Sequence, residues 1–138
     1  MSGIPLEHQI DHRLRVVVAR ATGTLTDDEV FAYQRDVWSQ PDVAGYDELI
    51  DMTHVEHVAV PSPERVVQLA SVSAGMDVRE PTTRLAIVAP HDFEFGLGGM
   101  YAAHREMDRR SIRRVGVFRT RPEALAWLGL DQEPPGDA

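Results

Sequence analysis

Residues 84–89 read R-L-A-I-V-A, residues 90–99 read P-H-D-F-E-F-G-L-G-G, and residues 100–106 read M-Y-A-A-H-R-E. The first six form the most apolar strand candidate in the chain. The glycine-rich segment after them reads as a loop, delivering the chain to a helix expected over about residues 97–108. A buried parallel strand feeding a helix N-terminus is where α/β proteins place ligands. The architecture follows from here in both directions.

Upstream, residues 6–10 and 14–21 read as two strands joined near Asp11-His12-Arg13, a hairpin. The second, L-R-V-V-V-A-R-A, is apolar on both alternating faces through its centre. Thr26 with Glu29 forms a capping box for a helix over about residues 27–39. Val30, Tyr33, Val37 and Trp38 share one side of it, and Pro41 closes it off. E-L-I-D-M-T at 48–53 is the third strand, and H-V-E-H-V-A-V-P at 54–61 reads as an irregular connection. Ser62 before Pro63 marks the next helix start. Val66, Val67, Leu69 and Ala70 supply its apolar side, and Gly75 its stop.

Downstream, R-R-S-I-R-R at 109–114 leads into the last strand, R-V-G-V-F-R at 114–119. Thr120 and Glu123 make a second capping box, and Ala124, Leu125, Trp127 and Leu128 form a short helix ending at Gly129. The order ββαβαβαβα gives one α/β domain over residues 1–130, followed by a mobile tail at 131–138. Strands alternating with helices imply parallel pairing.

Composition narrows the function. A chain of 138 residues is long enough for a real core, and its 43% hydrophobic and 26% charged content is that of a globular domain. No apolar run approaches the ~20 residues of a membrane span, and M-S-G-I-P-L-E-H lacks the pattern of a signal peptide. The chain has no cysteine, which excludes disulfides and thiolate chemistry and points to the cytoplasm. A net charge of −8 argues against nucleic-acid binding. All 14 basic residues are arginine, so neither a Schiff-base lysine nor a P-loop lysine exists.

Five segments carry a family resemblance: G-T-L-T-D-D-E at 23–29, L-I-D-M-T-H-V at 49–55, residues 84–101, V-G-V-F-R-T at 115–120, and E-A-L-A-W-L-G at 123–129. Together they resemble the bacterial SpoIIAA-like proteins, relatives of the STAS and lipid-carrying Sec14-type domains, over about residues 8–129. The resemblance implies a β-α superhelix, a mixed five-stranded sheet with about four helices, and no known enzymatic activity. Many relatives carry an arginine after F-G-L-A, where this chain has Gly98-Gly99. In the anti-sigma-factor antagonists of this fold a phosphorylatable serine lies just beyond the third strand. Asp51-Met52-Thr53 resembles the start of that turn, so Thr53 is the phosphorylation candidate, although His54-Val55-Glu56 replace the small residues that would follow.

A sheet with helices on one face should have strands apolar on one side only. Here Leu85, Ile87 and Ala89 oppose Ala86 and Val88, and Val115 and Val117 oppose Gly116 and Phe118. The second face therefore needs a cover: the N-terminal hairpin, a helix, another subunit or an apolar ligand.

The candidate ligand or anion site is His91, Asp92, Phe95, Gly96, Gly98 and Gly99, whose glycines either aim free amides at an anion or permit close helix packing. His54, Glu56 and His57, with His91, Asp92 and Glu94, would share one strand-end edge. His54, His57 and His91 are weak metal candidates there; no cofactor is expected. Arg109, Arg110, Arg113 and Arg114 form either a docking patch or a solvated face. Met100, His104 and Met107 read as core or interface. No catalytic constellation stands out. The leading expectation is a noncatalytic cytoplasmic domain, regulatory and homodimeric, acting on a protein partner or a small apolar or anionic ligand. The alternatives are a carrier of an apolar anion such as a fatty acid, held by the amides of Gly96 to Gly99, and a metal-dependent hydrolase.

Overall fold

The structure is a computed structural model that describes residues 5–59, 62–77 and 82–130. Its strands are β1 (Leu6–Asp11), β2 (Val16–Thr26), β3 (Asp47–Ala59), β4 (Arg84–Val88) and β5 (Arg114–Phe118). Its helices are α1 (Asp27–Trp38), α2 (Pro63–Gly75), α3 (Asp92–Met107) and α4 (Arg121–Leu128), with a single 3-10 turn at Pro41–Val43. This is the expected element order; the tail at 131–138 lies outside the described residues. None of the described helices is long and apolar enough to cross a membrane.

The strands lie in the order β1-β2-β3-β4-β5. β1 runs antiparallel to β2, and every later neighbour is parallel. Stepping to the adjacent strand in the same direction each time, with one crossover hand, places successive crossover helices on one face. On that face α1 packs on Val17 and Ala19, while α2 and α3 pack on Leu85, Ile87 and Ala89. The chain then turns after β5 and lays α4 on the opposite face. Ala124, Leu125 and Leu128 cover Val16, Val18, Leu49, Ala86 and Val88 there. This is the cover that the two-sided apolar strands demand. It is a helix of the chain itself, so burial no longer calls for a second subunit.

Two boundaries differ from the expected ones. β3 continues to Ala59 instead of breaking at Thr53, because the second half of β2 pairs with it from Thr22↔His54 to Thr26↔Ala59, after one register shift and across another. Val55 is buried while His54, Glu56 and His57 are exposed, so the extension has one apolar contact face. α3 starts at Asp92, five residues before the expected position. Three glycines, each costing about 1 kcal/mol relative to alanine in a helix, hide this helix in the sequence. Packing overrides that propensity at Gly98, where a Cβ would lie 3.1 Å from Val117 and 3.6 Å from Ile87. Asp92 and Glu94 in the first turn suit the helix dipole.

Candidate functional site

Between the sheet and the layer formed by α1, α2 and α3 lies a partly open cavity of about 120 Å³. Its floor is Ile50, Met52, Leu85 and Ile87 from β3 and β4. Val30 and Tyr33 enter from α1, Val66 and Leu69 from α2, and Leu97, Gly98 and Tyr101 from α3. A second pocket of about 50 Å³ shares Leu25, Val30, Val58, Val66 and Leu69 with it, extending the apolar space along the seam of α1 and α2. Alternation along β3 and β4 points their apolar residues here, and Gly98 lets α3 sit low enough to form the wall.

Gln34, Glu48, Glu94 and the two tyrosines are the only polar residues among those lining the cavity. Glu48 is 3% exposed and fully engaged. Its Oε2 accepts from the Tyr33 hydroxyl at 2.5 Å and from Trp38 Nε1 at 3.1 Å, and its Oε1 accepts from Arg113 Nη2 at 3.3 Å. Burial, followed by the adjacent Glu48 charge, pushes the Tyr33 hydroxyl well above the ordinary tyrosine range. Burial also raises Tyr101, whose oxygen accepts from Arg105 Nη1 at 2.6 Å. Glu94 differs from Glu48: it is 7% exposed, and its Oε2 is buried with no hydrogen-bond partner among the described residues.

A second, open cleft lies on the α4 side of the sheet, lined by Arg20, Asp51, Thr53, His54, Arg119 and Arg121 with Pro90 and Thr120. Asp51 Oδ1 accepts from both the amide and the hydroxyl of Thr53, while Arg121 Nη1 reaches its Oδ2 at 2.6 Å. Burial works to raise the Asp51 pKa. The Thr53 and Arg121 hydrogen bonds outweigh it and hold the carboxyl below its usual range.

The expected site residues separate. His91 is the N-cap of α3 without a side-chain cap bond. Asp92 pairs with Arg119 at 2.7 Å, and the Arg119 guanidinium lies 4.0 Å from the centre of the Phe95 ring. Gly96, Gly98 and Gly99 do not form a loop. They lie inside α3, where their amides belong to the helical ladder, and this removes the expected anion cradle. Thr53 is exposed but sits within β3 and not in a turn beyond it. His54 and His57 are exposed on β3, and no three His, Cys, Asp or Glu side chains among the described residues gather to hold an ion.

The arginine run is neither one patch nor one solvated face. Arg113 is inside, stacked 4.4 Å over Trp38 and bonded to Thr83 and the Tyr46 carbonyl. Arg110 is outside, paired with Asp108 and Ser71. On α3, Tyr101 is buried and Met100 packs against the core as expected, and Met107 departs from that face. Met107 is 69% exposed, while Glu94, Gly98 and Arg105 are buried alongside Tyr101. Sequence reading missed the roles of Glu48, Glu94 and Arg105. For Glu94 and Arg105 the one signal was spacing, since Glu94, Gly98, Tyr101 and Arg105 fall on a single helical face.

No protein-family model matches the chain, and no curated protein sequence matches it significantly. Among solved structures the chain is similar to an uncharacterised protein of the DUF3478 family with a SpoIIAA-like fold from Shewanella loihica PV-4. The two superpose with a TM-score of 0.57 at 18% identity, covering 93% of this chain and 98% of the other. The chain therefore has a SpoIIAA-like α/β fold.

Proposed function

We propose that the protein is a noncatalytic binding domain of the cytoplasm that takes a small apolar ligand between its sheet and helices α1, α2 and α3. The observation that carries this reading is the cavity of about 120 Å³ with almost wholly apolar walls. Ligand sites are concave and mostly apolar, with a few placed polar groups. An empty apolar cavity forgoes contacts that a ligand restores. Of the binding modes the sequence left open, the cavity supports the ligand mode. A regulatory partner or a dimer would act through surfaces outside this cavity. Native mass spectrometry of gently purified protein, followed by organic extraction, tests the reading. An adduct is expected, and Leu97→Trp, which fills the cavity, should abolish it. A bare mass under every gentle condition, together with no apolar compound raising the melting temperature, would overturn it.

A second reading is favoured by Thr53, an exposed residue that shares a cleft with Arg20, Arg119 and Arg121. A phosphoryl group there would compete with Asp51 and Asp92 for the guanidiniums of Arg121 and Arg119 that those carboxylates now hold. Phosphosite mapping of protein isolated from its own cells is the test, and an unmodified Thr53 across growth conditions would count against it.

A further inference from the structure

We propose that the cavity selects an apolar molecule bearing a protonated amine, seated on Glu94. This rests on the cavity being a ligand site and specifies what enters it. A buried carboxylate oxygen without a partner is costly, and Glu94 Oε2 is such an atom, on a residue only 7% exposed that lines the cavity. The other carboxylate on the wall, Glu48, has both oxygens engaged, by Tyr33, Trp38 and Arg113, and its charge balanced by the last. Among the described residues Glu94 is therefore the carboxylate on the wall that keeps an unsatisfied oxygen, and a turn of its side chain would bring that oxygen to the ligand.

The balance of charge sets the sign of the head group. No arginine or histidine lines the cavity, and the chain has no lysine. A carboxylic acid entering would bring its charge beside Glu94 in a low-dielectric site, where like charges repel strongly, while the Glu48 charge is already balanced by Arg113. An ammonium group instead supplies donors to Glu94 and cancels its charge. This disfavours the fatty-acid alternative, whose amide cradle is also absent. Size limits the rest of the molecule. A cavity of about 150 Å³ holds benzene, so about 120 Å³ takes a single ring or a short alkyl chain.

The experiment is a calorimetric or NMR titration of the full chain with toluene, benzylamine and benzoate at neutral pH. Benzylamine should bind at least tenfold more tightly than toluene, and benzoate more weakly than both. Glu94→Gln should erase the amine's advantage while leaving toluene unchanged, and Glu94→Leu, which removes the buried carboxylate altogether, should do the same. Benzoate binding as well as benzylamine, or an amine preference that survives both substitutions, would overturn the proposal. Toluene binding with no gain for benzylamine would sink the amine assignment but leave the ligand site standing. If none of the three binds, both fall.

Discussion

Tyr33 donates its hydroxyl to Glu48 Oε2 over 2.5 Å, joining α1 to β3 on the wall of the cavity. The same carboxylate holds Trp38 and Arg113, so one strand residue ties together α1 and the segment leading into β5. Tyr33→Phe should cost about 1–2 kcal/mol. Glu48→Ala, which strips a buried guanidinium of its ion partner, should cost about 3–5 kcal/mol. Urea denaturation of both variants measures the order. The Tyr33 pKa is raised by folding. Its contribution is therefore complete below the unfolded tyrosine value and is lost as pH rises through the folded one. Absorbance near 295 nm should show Tyr33 ionising only with alkaline unfolding.

Asp77 gathers the other end of the helical layer. Arg105, 2% exposed at its side chain, gives it two bonds of 2.6 and 2.7 Å, and Ser111 and the amides of Ile112 and Arg113 add three more. Asp77→Ala should destabilise by about 3–5 kcal/mol, because it leaves Arg105 buried without its counter-ion. Combining it with Arg105→Met should recover part of that loss. A double variant no more stable than Asp77→Ala would contradict the pairing.

Asp51 makes acid stability testable. Its folded pKa lies below its unfolded value, so the unfolded chain binds more protons as pH drops. The stabilisation is complete above the ordinary carboxylate range and drains away as pH falls through the lowered value. Asp51→Asn should cost about 2 kcal/mol at neutral pH and flatten the loss of stability on acidification. Thr53→Ala should shift the acid limb in the same direction by less. Chemical denaturation across pH 2 to 7 gives the comparison.

The glycines of α3 distinguish a helix from a loop. Gly96 and Gly99 have open space where a Cβ would go and no positive φ. Gly96→Ala and Gly99→Ala should therefore each raise stability by about 0.5–1 kcal/mol. Gly98→Ala should gain nothing or lose, since Val117 stands 3.1 Å from the new atom. Thermal melts of the three variants check this, and destabilisation by all three would return the segment to a loop.

Much of the fold was legible in the sequence because its signals are local. The boxes Thr26–Glu29 and Thr120–Glu123 cap α1 and α4 as read. The apolar residues on both faces of β2 and β4 announced a sheet covered twice, and α4 is the second cover. The start of α3 was hidden because propensity at Gly96, Gly98 and Gly99 argues for a loop, while the contact that overrides it comes from Val117, about twenty residues away. The second half of β3 was missed for a similar reason, since it forms only by pairing with β2.

The candidate site was less legible. Glu94 was visible as one of several polar residues after the central strand, but nothing local says that it turns inward while Asp92, two residues earlier, meets Arg119 outside. Arg113 looked like its neighbours in an arginine run, and only the distant Glu48 and Trp38 make it a core residue. Burial of a charged group depends on partners that sequence spacing does not reveal.

A methyl NMR titration of the full chain with toluene tests the ligand cavity most directly. Saturable shifts confined to Ile50, Leu85, Ile87 and Leu97, with Leu125 and Leu128 beneath α4 unmoved, are the predicted result. No saturable shift, or shifts centred on the α4 face, would contradict it.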